Sequence, residues 1–297
     1  MKGLQLGLNN SITNKLEAIG QAEVTTILGR ITSGNDGETY KAEMIDAEGS
    51  PVTGYVKLSL DPRKIIAELT AAQVGRALGM KIPRPYVVLL DTADLTEEFG
   101  SSYANQGVMV CFASQQAGSR SYSLERALRN PSLALVRAVE KQFDLDGTIA
   151  LDEWIANDDR HLGNIIYSPG RQEFWLIDHG RALTGSWWEL WGLEDPSLPV
   201  RNLLVDSSVS EWDEAVRNRI LERAHLVVNK CATLCLDDLD KDGHFAKIDP
   251  ATDRQEIIDF LRDRIHHTVP LLCNRLQLGH LSLKPQKPSK PQSANEG

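Results

Sequence analysis

The sequence has few cysteines and no long apolar run, and each shortage excludes a class of protein. Four cysteines among 297 residues are too few for a disulfide-stabilised secreted scaffold. The N-terminal stretch lacks the apolar core, roughly 7–15 residues long, of a signal peptide. The longest apolar stretches, residues 87–90 and 108–113, are far shorter than the ~20 residues needed to cross a bilayer. We therefore expect a soluble cytoplasmic protein.

The chain also has fewer positively charged than negatively charged residues. The chain has 32 Lys and Arg against 41 Asp and Glu, a formal net charge of −9. This balance argues against a nucleic-acid partner and against binding to a membrane surface. It is compatible with phosphate ligands, because metal ions bridge acidic side chains to phosphates. A hydrophobic fraction of 41% is typical of a globular chain. At about 150 residues per domain, the length suggests two domains or two lobes.

The order of predicted elements indicates an α+β fold made of two lobes. Residues 1–113 form the first lobe, a small antiparallel β-sheet that carries one helix, and residues 114–280 form a mostly helical second lobe. Residues 281–297 repeat Lys-Pro-x three times and are expected to be a disordered tail. The predicted strands are 22–31, 38–45, 52–60, 85–90, 108–113, 164–167 and 173–177, and the predicted helices are 61–79, 131–143, 145–156, 211–235 and 253–269.

The most informative segment lies between residues 151 and 183. A predicted helix is followed by a polar loop with Asp159, by Asn164 five residues later, and by a strand that ends at Asp178. This is the order of parts used in phosphoryl transfer. The first Asp can position an acceptor hydroxyl and take its proton. The Asn amide oxygen and the last Asp carboxylate are hard ligands suited to Mg²⁺.

The remaining parts of such a site lie upstream in the expected order. Lys57 is in the third predicted strand, where it can bind phosphates, and Glu68 is in the following helix, where it can hold Lys57. Gly34 and Gly37 lie in the first hairpin, where a phosphate-covering loop belongs. Taken singly, each of these residues is more often a surface or turn residue, so the inference depends on their shared order and spacing.

Two runs of sequence resemble a known family. NDDRHLGN at residues 157–164 and WLIDHG at residues 175–180 resemble the HipA-like kinases, in particular the short HipA-like kinase domain. The Asp-Arg-His core is also similar to the phosphoinositide lipid kinases. Residues 68–85 resemble the family's helix and following strand, and the resemblance covers roughly residues 20–270.

The resemblance implies a bilobal protein-kinase-like fold that binds ATP with Mg²⁺ and phosphorylates an unknown protein acceptor on Ser or Thr. A lipid or small-molecule kinase and a catalytically inactive nucleotide-binding scaffold are the alternatives, and a regulatory partner is compatible with each. Matching positions carry the family's roles. Asp159 is the catalytic residue and His161 organises its loop, Asn164 and Asp178 bind the metal, and Lys57, Glu68, Ser33, Gly34, Gly37 and the hinge residues Val110, Cys111 and Phe112 bind the nucleotide.

The chain departs from the family pattern in two ways. Its glycine loop is not a regular Gly-x-Gly-x-x-Gly, and the chain is too short for the extra N-terminal region of full HipA toxins, so we do not expect a toxin. Ser33 lies in the glycine loop and is a candidate for autophosphorylation, as in some relatives.

A second candidate site spans residues 238–249, DLDKDGHFAKID. Asp238, Asp240, Asp242 and Gly243 match positions 1, 3, 5 and 6 of an EF-hand loop. Position 12 is Asp249 instead of the usual Glu, so an Asp-rich solvated turn is the favoured interpretation and Ca²⁺ binding is the alternative.

Two other patterns favour core packing. Cys231 and Cys235 continue an apolar helical stripe and are expected in a helix interface rather than at a metal. Trp187, Trp188 and Trp191 can shape an acceptor site, but burial in the core is the favoured interpretation.

Overall fold

The computed structural model describes residues 15–31, 37–95, 101–103, 106–118, 120–185, 188 and 192–279. Ser33, Gly34, Trp187, Trp191 and the tail at 281–297 lie outside the described residues. Among the described helices, none is long and apolar enough to cross a membrane. The predicted lobe boundaries at residues 113 and 280 stay a prediction.

The first part of the chain forms a five-stranded barrel. Its strands run in the order β1-β2-β3-β5-β4, and a parallel pairing between the start of β1 and β4 closes it, with Gly20 opposite Tyr86 and Glu23 opposite Leu89. The expectation of a wholly antiparallel sheet is therefore wrong at this one pair. The strands are β1 (Gly20–Ile31), β2 (Glu38–Asp46), β3 (Pro51–Leu58), β4 (Pro85–Asp91) and β5 (Val108–Gln115).

The closure has a local cause in β1. Two register shifts, between Val24 and Thr26 and between Ile27 and Gly29, interrupt its pairing with β2. Bulges bend a strand and increase its twist, so the start of this 12-residue strand can turn away from β2 and pair with β4. The closed barrel encloses its own apolar cluster, which includes Tyr40, Met44, Val56, Tyr86 and Cys111.

Helix α1 (Pro62–Ala77) links the barrel to the rest of the molecule. Asp61 caps it by accepting the backbone N–H of Arg63, and Pro62 occupies the first turn, as the sequence predicts. Its residues from Ile65 to Gly75 are all buried. The apolar ones belong to the core of the helical part, not to the interior of the barrel.

The second part of the chain is mostly helical, as expected. The long helices Glu214–Cys231 and Arg254–Arg275 both pack against the helix Leu145–Trp154 and against each other. A small antiparallel sheet in the order β6-β7-β8 completes this part of the chain. The helices are α2 (Leu124–Leu128), α3 (Leu133–Gln142), α4 (Leu145–Trp154), α5 (Leu203–Asp206), α6 (Glu214–Cys231), α7 (His244–Ile248) and α8 (Arg254–Arg275), and the strands are β6 (Tyr122–Ser123), β7 (Ile165–Ser168) and β8 (Glu173–Leu176).

Several details differ from the sequence-based expectation, among them the helix expected over 211–235, which ends at Cys231. Helix α8 continues through Pro270 to Arg275, beyond the predicted end at Val269, because Leu272 and Leu276 pack into the core and extend its buried side. Strand β6 was not predicted, since two residues are too few to show an alternating pattern. Cys231 is buried in the core and Trp188 packs against the core, in agreement with the packing interpretation, whereas Cys235 lies beyond the helix and is only partly buried.

Candidate active site

A cavity of about 470 Å³ lies between the barrel and the helical part. Polar side chains from four separate elements meet on its wall, and a drug-sized ligand fits a cavity of this order. A smaller recess of about 50 Å³ shares Lys57, Glu68, Phe112 and Asp178 with it. Five of the residues that line the larger cavity were predicted site residues: Lys57, Glu68, Phe112, Asn164 and Asp178.

Lys57 stands at the centre of the polar wall. It comes from β3, and its Nζ donates to Asp178 Oδ1 at 2.7 Å and to Glu68 Oε1. Asp178 is 121 residues from Lys57 and Glu68 is eleven residues from it, and the fold brings both carboxylates into contact with the Lys57 ammonium. The ammonium also lies 5.9 Å from the centre of the Phe112 ring. The predicted Lys57–Glu68 pair is present in the structure.

The ion pair changes the acidity of both partners. Burial alone would raise the pKa of Glu68, but the Lys57 charge and the hydrogen bond from His179 lower it to about 2. Burial alone would lower the pKa of Lys57, yet the Glu68 and Asp178 carboxylates raise it well above its ordinary value. Both groups are therefore charged at neutral pH, and Lys57 presents a fixed positive charge to the cavity.

Asp178 is placed by an unusual backbone conformation. Its φ of +60° lies in the left-handed region, which a non-glycine residue rarely adopts. Before it, the backbone N–H of Ile177 donates to the carbonyl of Asn164 at 3.1 Å. After it, the backbone N–H of His179 donates to Glu68 Oε2 at 2.9 Å. One carboxylate, Glu68, thus holds both Lys57 and the chain that follows Asp178.

The loop between α4 and β7 is built around a buried arginine that the sequence analysis had not singled out for a structural role. Arg160 is fully buried and pairs with Asp152 through two hydrogen bonds, of 3.0 and 3.3 Å. It also donates to the carbonyls of Asn164 and Ile177. Its fork of donors therefore joins the helix, the polar loop and the end of β8. The sequence offered one signal for this pair, which is the acidic residue Asp152 on the predicted helix, eight positions before Arg160.

Asp159 and Asn164 lie on this loop. Asp159 is half-buried and is not among the residues that line either cavity. Burial raises its pKa, and the neighbouring Asp178 and Asp158 carboxylates add to the rise against the opposing charges of His161 and Arg181. The Asn164 side-chain N–H donates to the Asp159 carbonyl at 3.0 Å. This bond leaves the amide oxygen of Asn164 available on the cavity wall.

His161 and Gly37 have local structural roles. His161 is exposed, and its Nδ1 accepts the backbone N–H of Gly163 at 3.0 Å, so it caps the short turn that places Asn164. Gly37 has a φ of +135°, and a Cβ there would lie 2.8 Å from the carbonyl oxygen of Leu58. Glycine is therefore required at this end of the first hairpin, which lines the smaller recess.

The predicted hinge, which concerns backbone groups of Val110, Cys111 and Phe112, stays a prediction, and among these three residues only Phe112 lines the cavity. Phe112 lines the cavity, but Cys111 is inside the barrel and Val110 packs against the core below α1. Side chains alternate between faces along a strand, which places Cys111 on the barrel side, whereas Val110 shares the face of Phe112 and packs against the core without lining the cavity. The wall continues instead through Ser114, Gln115 and Ala117, which the sequence analysis missed.

The segment at residues 238–249 does not have the form of an EF-hand. The short helix α7 begins inside it, and both carboxylate oxygens of Asp240 accept backbone N–H groups, from His244 and Phe245, at 2.8 Å. Within the described residues, no group of three or more His, Cys, Asp or Glu side chains is arranged to hold a metal ion. The contacts of Asp240 support the interpretation as an Asp-rich turn, but Asp240 is only 3% exposed, so the expectation of a solvated turn is wrong at this residue.

Comparisons with known proteins identify a family and a similar solved structure. A family model described as HipA-like kinase matches residues 25–188, a range that contains Lys57, Glu68, Asp159, Asn164 and Asp178. No curated protein matches the sequence. Among solved structures, the Helicobacter pylori proinflammatory kinase CtkA is similar, with 12% identity, a TM-score of 0.49, and coverage of 89% of this chain and 100% of that chain.

Proposed function

This chain belongs to the HipA-like kinase family, and from that premise we propose that it is an ATP- and Mg²⁺-dependent kinase that phosphorylates a protein on Ser or Thr. The observation that carries the proposal is the contact of Lys57 with Glu68 and Asp178 at the cavity. A cationic side chain held between two carboxylates, one of them in reach of a metal, is the arrangement that phosphoryl transfer requires.

The cavity suits a nucleoside triphosphate. Lys57 is the cation for its phosphates, and the apolar wall with Phe112 is the surface for its base. The segment from Ser114 to Ala117 then takes the place of the predicted hinge, because its residues line the cavity where Val110 and Cys111 do not. Gly37 permits a close backbone approach at the phosphate end.

Two residues fit a divalent metal. The hydrogen bond from the Asn164 side-chain N–H to Asp159 aims the amide oxygen away from the loop, and the Asp178 side chain is 42% exposed. A carboxylate and an amide oxygen are the donor types that Mg²⁺ prefers. When bound there, Mg²⁺ would neutralise phosphate charge.

Asp159 is the residue proposed to receive the acceptor hydroxyl. Its loop is fixed from below by Arg160 and its carboxylate is half-buried. The raised pKa of Asp159, caused first by burial, makes it a better proton acceptor than an exposed aspartate. His161 then acts as a positioning residue, since it caps the turn after Asp159 and does not enter the cavity wall.

The test is transfer of the γ-phosphate from labelled ATP in a cell lysate, followed by identification of the modified molecules. We expect labelled Ser or Thr in protein, with no labelling by the Asp159→Ala and Asp178→Ala variants. Asp242→Ala is a suitable control, because Asp242 is an exposed carboxylate in a distant loop. Label that appears only in lipid or in a small molecule would replace the protein-kinase assignment by the alternative one. Equal labelling by all variants would overturn the proposed site.

A further inference from the structure

Helix α1 is fixed from the side opposite to Glu68 by one buried side chain. Gln73 is 2% exposed, and its amide N–H donates to the carbonyl of Glu17 at 2.8 Å. Its amide oxygen accepts the backbone N–H of Asp240 at 3.1 Å. Gln73 therefore joins α1 to the segment at residues 15–19, before the barrel, and to the loop before α7. We call these two hydrogen bonds the Gln73 clamp.

Gln73 and Glu68 lie on different faces of the helix. At 100° per residue, five positions separate the two side chains by about 140° around the axis. Glu68 faces Lys57 at the cavity, while Gln73 faces the core behind the helix. A rotation of α1 about its axis, or a slide along it, would break the Lys57 contact and would also stretch both hydrogen bonds of the Gln73 clamp.

Both ends of the clamp are themselves fixed. Asp240 has a left-handed φ of +45°, and its carboxylate caps α7, so its backbone N–H has a set direction. On the other side, the segment of Glu17 is held by Leu16 and Ile19, which are buried in the core cluster of the helical part. Gln73 thus connects α1 to two rigid points rather than to loose chain.

The packing of α1 against its neighbours also restricts movement of the helix. Its apolar residues share one core cluster with α4 and α8, and a Cβ on Gly75 would lie 2.4 Å from the end of Ile82 and 3.3 Å from Leu151. The close approach at Gly75 leaves little room for the helix to slide. The helix that carries Glu68 is therefore built into the helical part of the protein.

From these contacts we propose that Gln73 is a positioning residue that keeps Glu68 bound to Lys57 independently of nucleotide. The inference rests on the proposed function for its catalytic consequence, but the clamp itself is a property of the fold. It follows that a regulatory partner would not control this kinase by swinging α1. Control would have to act on the access of nucleotide or acceptor.

The test is hydrogen exchange of the α1 amides in the nucleotide-free protein. Gln73→Met keeps the size of the side chain, leaves the buried Asp240 N–H without its acceptor and removes the donor to the Glu17 carbonyl. We expect exchange in α1 to become faster by about tenfold, with smaller changes in α6. Thr70→Val is the matched control, because Thr70 is equally buried in α1 and its hydroxyl has no hydrogen-bond partner within the described residues. It should exchange as the wild type does.

A second variant covers the case in which Gln73→Met does not fold. Gln73→Asn keeps an amide at this position but shortens its reach by one methylene, which weakens both hydrogen bonds of the clamp. We expect it to loosen α1 in the same direction to a smaller degree. Unchanged exchange in both variants, or acceleration spread evenly over the whole protein, would overturn the clamp.

The catalytic consequence is measured by a double-mutant cycle. If Gln73 acts through Glu68, the loss of kcat/KM caused by Gln73→Met should largely disappear in a Glu68→Gln background. Additive losses would refute positioning, even if the helix had loosened. A wild-type protein without any phosphotransfer would refute the proposed function but not the clamp, because the exchange experiment does not depend on activity.

Discussion

Replacing Glu68 by glutamine should destabilise the protein in a pH-dependent way. The Glu68 carboxylate is buried and bound to Lys57 Nζ and to the backbone N–H of His179. Burial would raise its pKa, but the Lys57 charge and the interaction with the His179 side chain outweigh burial and lower it from 4.5 to about 2 on folding. At 1.36 kcal/mol per pKa unit, the charged form contributes about 3 kcal/mol to the free energy of unfolding at neutral pH.

The sign of the pH dependence follows from the lowered pKa. A carboxylate with a depressed pKa stabilises the fold fully above its unfolded value of 4.5 and loses that contribution as the pH falls toward about 2. With these two values the contribution is about 1 kcal/mol at pH 3. The difference in stability between wild type and Glu68→Gln should therefore be constant from pH 7 to pH 5 and shrink below that.

The assay is urea denaturation at several pH values, with the midpoint and slope fitted at each. Glu43→Gln is the control, since Glu43 is an exposed carboxylate on β2 and its loss should change stability by less than about 0.5 kcal/mol. Equal stability of wild type and Glu68→Gln at pH 7 would refute the reasoning. A difference that stays the same down to pH 3 would refute the assignment of the effect to the carboxylate charge.

Three further predictions concern the loop and the barrel. Arg160→Met should lower the free energy of unfolding by about 3–5 kcal/mol, because it leaves Asp152 buried without its partner; a denaturation midpoint close to that of the wild type would contradict this. Burial raises the pKa of Asp159 above the ordinary value of 3.8. The rate of phosphotransfer should therefore increase with pH with a midpoint above 3.8, and a midpoint at or below that value would refute a half-buried base. Gly54→Ala should cost about 1–3 kcal/mol in thermal unfolding, since its Cβ would lie 2.5 Å from the Ser114 carbonyl oxygen; an unchanged Tm would show that the barrel relaxes there.

The local parts of the candidate site could be predicted from the sequence. Asp159, Asn164 and Asp178 lie on one loop and two short paired strands, so their spacing along the chain nearly determines their spacing in space. The position of Lys57 and Glu68 followed from a strand and a capped helix in the right order. The structure brings Lys57, Glu68 and Asp178 together, although no single stretch of sequence contains all three.

The long-range parts could not be predicted in the same way. Closure of the barrel depends on a pairing of β1 with β4, which are more than fifty residues apart, and on bulges that leave no alternating signal. The β5 side chains that line the cavity lie toward Gln115 and do not include Val110 or Cys111. Which face of a strand meets the cavity depends on how the barrel closes, and the sequence does not show this. Gln73 looked like an ordinary polar helix residue, since its partners Glu17 and Asp240 lie in distant segments.

In the proposed site, Asp159 receives the acceptor hydroxyl and Asp178 binds the metal. The measurement that tests this most directly is ATP binding, with and without Mg²⁺, together with γ-phosphate transfer, for the Asp159→Asn and Asp178→Asn variants. Asp159→Asn should bind Mg·ATP as the wild type does and transfer no phosphate. Asp178→Asn should bind ATP without the gain in affinity that Mg²⁺ gives the wild type. Phosphate transfer by Asp159→Asn at the wild-type rate, or unchanged Mg²⁺ dependence in Asp178→Asn, would contradict the account.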